Sequence, residues 1–111
     1  MDIYFSTTKL QKICSQEKEM KRSLGAKCAE RLKQRMMELS AADALSDMSH
    51  LPPARCHELS GDRAKQFSID LEHPYRLIFI PLNDPMPLCK DGGIDREKIT
   101  EIQIIGIWDT H

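Results

Sequence analysis

Residues 55–81 read RCHELSGDRAKQFSIDLEHPYRLIFIP, and this stretch predicts a short extended lead-in, a turn and two consecutive strands. Apolar and polar side chains alternate over residues 66–71, which is the period-two pattern of a strand with one buried face. His73-Pro74 then ends that strand, because proline donates no backbone hydrogen bond. Residues 75–80 follow as a nearly continuous apolar run. The run is typical of a strand covered on both sides, and we expect the rest of the chain to pack around this strand pair.

One charged residue, Arg76, interrupts that apolar run. A charge inside an otherwise apolar central strand is costly unless its head group reaches solvent, a carboxylate or an anionic ligand. Arg76 is therefore a candidate functional residue from its position alone.

The remaining elements are predicted from periodicity and turn residues. A short strand at residues 3–5 precedes a brief helix, and residues 17–39 follow a helical pattern interrupted by Gly25. The turn-rich residues 82–98 predict a long loop, and residues 99–108 predict a last strand. The order is β-α-α-β-β-β. It predicts an α+β fold in which a mainly antiparallel sheet carries two N-terminal helices on one face and leaves the other face partly open.

Length and composition are those of one ordinary soluble domain. A chain of 111 residues is long enough for a single modest core, so we expect one domain over residues 1–111. Lys and Arg (16) nearly balance Asp and Glu (17), so the net charge does not by itself indicate a nucleic-acid binder. Residues 1–65 are mildly basic, with 12 basic against 9 acidic side chains, and residues 66–111 are mildly acidic, with 4 against 8.

The cysteines and the hydropathy pattern predict a cytoplasmic protein. No two cysteines form a CxxC pair, and none has metal-ligand spacing with a histidine, so we expect reduced thiols and no metal. The start of the chain has no apolar signal region, and no apolar run approaches membrane-spanning length. We therefore expect no membrane partner. The four cysteines are Cys14, Cys28, Cys56 and Cys89.

Two of the four histidines flank the predicted sheet. His57 lies in the lead-in to the strand pair, and His111 follows the last strand, with Asp109 two positions before it. Residues two apart in an extended segment point the same way, so Asp109 and His111 could face one site. Imidazole, with an ordinary pKa of about 6.5, suits proton transfer near neutrality. From this pattern alone, an Asp-x-His tail is more often a solvated terminus than an active site.

Three separated segments resemble the HigB-type toxins of the RelE/ParE superfamily. Residues 55–63 match an R-x-H-x-L-x-G-D-R stretch, residues 75–79 match a Y/W-R-[LI]-x-F strand, and residues 109–111 read D-T-H where the family has D-Y-H. The resemblance covers residues 50–111 by sequence, and the helical half by topology and length.

This resemblance implies a ribosome-dependent endoribonuclease that cleaves messenger RNA without a metal ion or cofactor. Its partners would be the ribosome, messenger RNA and a HigA-like helix-turn-helix antitoxin that silences it. The RNA 2′-hydroxyl attacks the adjacent phosphate, while a base takes its proton and an acid protonates the leaving 5′ oxygen. By the resemblance, the catalytic positions are His57, Asp109 and His111. Arg76 would contact the phosphate, and Arg63 is a second candidate for substrate binding.

Two departures from the family pattern keep other functions open. Thr110 replaces a tyrosine that could stack on a base or lend a proton, and Ser60 stands where compact members often have lysine. One alternative is a ParE-like gyrase inhibitor on the same fold, since fold alone does not decide function. Another is a weakened relative that mainly binds an antitoxin. The Asp-x-His ending favours the nuclease, because a pure binder has no evident need for it.

Overall fold

The computed structural model describes residues 1–109, which form a layer of three helices on one face of a five-stranded sheet. The helices are α1 (Thr8–Ser15), α2 (Glu17–Leu24) and α3 (Ala26–Ala41). The strands are β1 (Asp2–Phe5), β2 (His57–Glu58), β3 (Phe67–Asp70), β4 (Tyr75–Pro81) and β5 (Glu101–Asp109). Short 3₁₀ turns lie at Leu45–Asp47, Gly61–Arg63 and Arg96–Lys98.

The sheet order is β1-β5-β4-β3-β2. β1 runs parallel to β5 and every other neighbouring pair is antiparallel, so the prediction of an α+β fold with a mainly antiparallel sheet is confirmed. One strand was not predicted. His57–Glu58, expected only as an extended lead-in, pairs with β3 and forms the edge strand β2.

The long helical pattern over residues 17–39 is two helices and not one. Gly25 has φ 81°, a conformation that glycine adopts at little cost, and it ends α2 by donating its N–H to the Lys21 carbonyl at 2.9 Å. α3 then starts in a new direction at Ala26. The brief first helix is capped by a side chain, since Thr7 Oγ1 accepts a hydrogen bond from the Leu10 N–H at 3.1 Å.

One face of the sheet, the packed face, lies against the helices and holds the hydrophobic core. Phe67 of β3 and Phe79 of β4 pair across the strands with ring centroids 5.7 Å apart, and both are fully buried. Apolar side chains of β5 continue this layer, and Leu32 and Leu39 of α3 close it from the helix side. Burial of these side chains is the main contribution to the stability of the fold.

A β-bulge decides which side chains of β5 reach the opposite face, the polar face. Ile78 pairs with Gly106, but Phe79 pairs with Ile104, so Ile105 is an extra residue on β5. Beyond the bulge the alternation is reset, and Trp108 lies beside Arg76. The polar face carries His57, Ser68, Asp70, Arg76, Ile78, Gly106 and Trp108.

The loop over residues 82–98 is attached to the core. The Asn83 side chain accepts hydrogen bonds from the backbone N–H groups of Thr100 and Glu101, at 3.0 and 3.2 Å. Farther along the loop, the Arg96 guanidinium lies 5.1 Å from the Phe67 ring centroid. Within residues 1–109, no helix has the length and apolar character needed to cross a membrane.

Candidate active site

The polar face forms two rows of side chains that cross the sheet. In the first row, His57 of β2 pairs with Ser68 of β3, and the row continues across the sheet to Ile78 and Gly106. The second row joins Asp70, Arg76 and Trp108. Paired residues on neighbouring strands have Cβ atoms about 5 Å apart, so the four-residue first row extends about 15 Å across the sheet and the second row about 10 Å.

An aspartate holds two arginines in the second row. Asp70 Oδ1 lies 3.3 Å from Arg76 Nε, and Asp70 Oδ2 lies 3.3 Å from an Nη of Arg55. The Arg76 side chain is only 12% exposed, whereas that of Arg55 is 48% exposed. The Arg76 side chain is therefore the more restricted of the two. Asp70 thus brings two guanidinium groups together on this part of the polar face.

A buried arginine of α3 supports this ion-pair cluster from the other side of β3. Arg35 is 2% exposed, and its Nε donates a hydrogen bond to the Asp70 carbonyl at 3.0 Å. Its Nη1 pairs with Glu38 at 3.1 Å, which compensates the buried charge. The end of β3 is thereby tied to the helix layer, and the Asp70 carboxylate is held at a defined place.

His57 has a defined ring orientation. Its Nδ1 lies 2.9 Å from the Arg55 carbonyl oxygen, which can only accept a hydrogen bond, so Nδ1 carries the hydrogen. In the neutral imidazole, Nε2 then has the lone pair and is the atom able to accept a proton. Arg55 makes this contact from a left-handed backbone conformation, φ 50°, which is uncommon for a residue with a side chain.

Ser68, opposite His57, contributes a buried hydroxyl. Its side chain is fully buried, and its Oγ has no hydrogen-bond partner among residues 1–109. A buried hydroxyl without a partner costs free energy. Because this hydroxyl is fully buried, a ligand on the polar face has no access to it in the structure.

Arg63 reaches the polar face from the 3₁₀ turn that follows β2. Its Cζ lies 5.1 Å from the centroid of the Trp108 ring, a cation–π distance. The structure therefore brings three of the five predicted site residues, His57, Arg63 and Arg76, onto one face of the sheet.

Asp109 lies at the end of β5 and is placed differently. It pairs with Tyr75, one position beyond the pair formed by Arg76 and Trp108. Successive residues of a strand point to opposite faces, so Asp109 belongs to the side of the sheet opposite Arg76. The predicted residue His111, together with Thr110, lies outside the described residues.

The cysteine beside His57 is not a nucleophile in this structure. Burial raises the pKa of the Cys56 thiol to about 11, although the positive charge of Arg96 lowers it in part. Burial also raises the pKa of Cys14, to about 12, and that of Cys28. All three are protonated near neutral pH, and a thiol is a far weaker nucleophile than a thiolate. Across residues 1–109, no group of three or more His, Cys, Asp and Glu side chains is placed to hold a metal ion.

Sequence reasoning missed three residues of this face. Arg55 was quoted in the R-x-H stretch but given no role, although it lies two positions before His57. Asp70 continues the polar alternation of β3, so its exposure to the polar face was predictable but its two arginine partners were not. Trp108 carried no usable signal, because the bulge at Ile105 that turns it toward Arg76 is not evident from the alternation of β5.

One comparison with known proteins identifies a family. A family model described as RelE-like toxin of type II toxin-antitoxin system HigB matches residues 4–85. The match includes the helices and His57, Arg63 and Arg76, and it ends within the loop over residues 82–98, before β5. Among curated proteins, no sequence matches this chain at a significant level.

A solved structure gives the same fold. The chain is similar to the YoeB/ParE toxin from Agrobacterium tumefaciens, with a TM-score of 0.59 and 10% sequence identity over 100% of both chains. At this identity the likeness concerns the backbone arrangement only.

Proposed function

This chain belongs to the HigB family of RelE-like toxins of type II toxin–antitoxin systems, and we propose that it is a ribosome-dependent endoribonuclease that cleaves messenger RNA. One observation carries the proposal. His57 presents Nε2 as a proton acceptor on the same face on which Asp70 holds Arg76 and Arg55. A base next to guanidinium groups is what cleavage of a phosphodiester requires.

In the proposed reaction, the RNA itself supplies the nucleophile. His57 Nε2 removes the proton of a ribose 2′-hydroxyl, and the 2′ oxygen forms a bond to the adjacent phosphorus. The bond from phosphorus to the 5′ oxygen of the next nucleotide breaks, and that oxygen takes up a proton. The products are a 2′,3′-cyclic phosphate and a 5′-hydroxyl. Arg76 stabilises the negative charge that accumulates on the phosphate oxygens in the transition state.

Asp109 and His111 are proposed to complete the reaction, on the strength of the family pattern at the end of the chain. His111 is the candidate acid for the leaving 5′ oxygen. Asp109 lies on the side of the sheet opposite Arg76, so its proposed role is limited to influencing the orientation of His111 and does not include contact with the phosphate. The family match ends at residue 85, so His57 and Arg76 carry more of the proposal than these two residues do.

Membership of a type II family implies an antitoxin partner. We propose that this antitoxin is a HigA-like helix-turn-helix protein, and that the toxin acts on translating ribosomes in the cytoplasm. Co-expression with the product of an adjacent gene of this type should restore growth and yield a complex that copurifies.

The test is cleavage of a defined message with and without ribosomes. We expect the native protein to cut the message in a translating ribosome complex and to leave the same purified RNA largely intact. His57→Gln should slow cutting by ~10²–10⁴-fold. Cleavage that needs no ribosome, or cleavage by His57→Gln at the native rate, would contradict the proposal.

A gyrase inhibitor is the second candidate, because the family match leaves out β5 and the residues after it. In that case the chain should arrest growth and alter DNA supercoiling while messages remain intact. A supercoiling assay on the same preparations separates the two functions.

A further inference from the structure

We propose that Trp108 and Arg63 form a site that stacks one unpaired RNA base next to the phosphate held by Arg76. The proposal deepens the proposed function and rests on it for the identity of the ligand as RNA. Trp108 is the single tryptophan of the chain and is 39% exposed. A side chain as large and apolar as that of tryptophan is usually mostly buried. Where aromatic rings are exposed, they commonly mark binding surfaces.

Gly106 makes room for the indole ring. A Cβ atom at position 106 would lie 2.3 Å from a carbon of the Trp108 six-membered ring, so only glycine allows the ring to lie against the β5 backbone. The ring is held against the sheet, and its other surface is directed away from the strand. A fixed, flat ring loses little conformational freedom when a base stacks on it.

The bulge at Ile105 places this ring beside the phosphate-binding residues. Trp108 pairs with Arg76, and Gly106 belongs to the same row as His57 and Ser68. A base on the indole would therefore lie one residue away from the arginine proposed to bind its phosphate.

An open cleft of about 550 Å³ lies beside the ring. The cleft lies between β5 and the helix layer, since its lining includes Gly106 and Trp108 on the strand and Lys9, Ile13 and Leu24 of the helices. It leaves open space next to the indole along the part of β5 that extends beyond β1.

Arg63 lies over the ring in the structure and would exchange with the base. A stacked base contributes more to binding than an exposed guanidinium on the same ring does. The base displaces the guanidinium, which then becomes available for a phosphate of the same strand. The site accepts any base, because stacking uses a π face that all four bases share.

Trp108 fluorescence tests the stacking directly, because no other tryptophan contributes to the signal. The probe is a trinucleotide with 2′-O-methyl groups, which cannot be cleaved through the 2′ oxygen. We expect saturable quenching by this probe and much weaker quenching by an abasic trimer with the same backbone charge. Equal effects of the two probes, or no saturable quenching in the millimolar range, would overturn the proposal.

Variants provide the second measurement, by anisotropy of a labelled trinucleotide. Trp108→Leu, which keeps apolar cover over Gly106, should weaken binding by roughly 10-fold, and Trp108→Phe by less. Tyr4→Leu, at another exposed aromatic residue of the sheet, should bind as the native chain does. Unchanged binding by Trp108→Leu would refute the site. If that variant fails to fold by circular dichroism, the comparison of the base and abasic probes on the native chain decides.

The ribosome assay separates this inference from the proposed cleavage. Base-dependent quenching without any cleavage would support the stacking site and refute the proposed nuclease activity. Cleavage with equal quenching by the two probes would support the nuclease activity and refute the stacking site.

Discussion

The two faces of the sheet are built from the same strands, but one packs against the helices and the other carries the candidate site. On β4, Leu77 points to the packed face and is fully buried, whereas its neighbour Arg76 points to the polar face and binds Asp70. The packed face is stabilised by burial of apolar surface. One apolar side chain can replace another there at little cost, but a change in side-chain volume lowers the stability of the fold. The polar face depends on particular atoms at particular distances. Substitutions on the two faces should therefore change stability and activity separately.

The largest effect is expected on the polar face, at His57. His57→Gln removes the proton acceptor and should lower the cleavage rate by ~10²–10⁴-fold, the usual contribution of a general base. Thermal unfolding should change little, because His57 lies on the short edge strand β2. Single-turnover cleavage in a ribosome complex measures the rate. A variant that cuts as fast as the native protein would show that the polar face is not the catalytic one.

The matching effect on the packed face is expected at Leu77. Leu77→Ala removes a fully buried side chain and should lower the free energy of unfolding by about 2–5 kcal/mol. At a temperature where the variant is still folded, its cleavage rate should be close to native. Urea unfolding followed by circular dichroism gives the stability. A loss of activity in fully folded Leu77→Ala would contradict the view that the packed face affects stability and the polar face affects activity.

At Arg76, the neighbour of Leu77, we expect the opposite result: a large loss of cleavage with a small loss of stability. Arg76→Gln removes the charge that stabilises the phosphate and should reduce cleavage by ~10²-fold. Its cost in stability should be at most about 1–2 kcal/mol, because Asp70 keeps Arg55 as a partner. The same urea and cleavage assays apply. Arg31→Gln is the control for charge alone, since it removes an exposed arginine of α3 that pairs with Glu72 and should change neither cleavage nor stability by much.

A smaller effect is expected from Asp70, which orients two arginines but does not itself contact the substrate. Asp70→Asn keeps the shape of the side chain and removes the charge, so Arg55 and Arg76 lose a common ionic partner. We expect cleavage to fall on the order of 10-fold through misplacement of the guanidinium groups. RNA binding should weaken less, because an anion near the phosphate is also removed. A large loss of binding with unchanged turnover would contradict this positioning role.

The smallest effect lies in the helix layer. Lys33 of α3 and Lys21 of α2 lower the pKa of Glu17 below its usual value, and each ammonium is 3.5 Å from its carboxylate. This stabilisation is present above the pKa that Glu17 has in the unfolded chain and is lost as the pH falls through the lower, folded-state pKa. Glu17→Gln should therefore unfold slightly more easily than the native chain at pH 7, and the difference should vanish in acid. Thermal melts across this pH range measure it; a difference that grows in acid would exclude the ion pairs as its cause.

The sequence predicted the architecture because its signals are local. Alternation in β3, the apolar run of β4 and the proline break between them require no knowledge of the rest of the chain. Gly25 was seen to interrupt the helical pattern, but a glycine at such a place is compatible with one continuous helix or with two. The class of fold followed from the order of these elements, and the family match and the fold comparison confirm it.

The site was less predictable, because it depends on register. Arg76 was noticed from its setting in an apolar strand, and its ion pair with Asp70 accounts for that setting. The single extra residue at Ile105 could not be read from the alternation of β5, and it moves Trp108 to the polar face and Asp109 to the other side. The catalytic roles of His57, Asp109 and His111, and substrate binding by Arg63 and Arg76, remain predictions.

The chemistry of the cut RNA ends tests the central claim most directly. Messages recovered after induction of the native protein should carry new 5′-hydroxyl ends within translated regions, and these ends should be absent after induction of His57→Gln. New ends that carry a 5′-phosphate, or 5′-hydroxyl ends as abundant in His57→Gln as in the native protein, would contradict the attack by the 2′ oxygen that the polar face is proposed to promote.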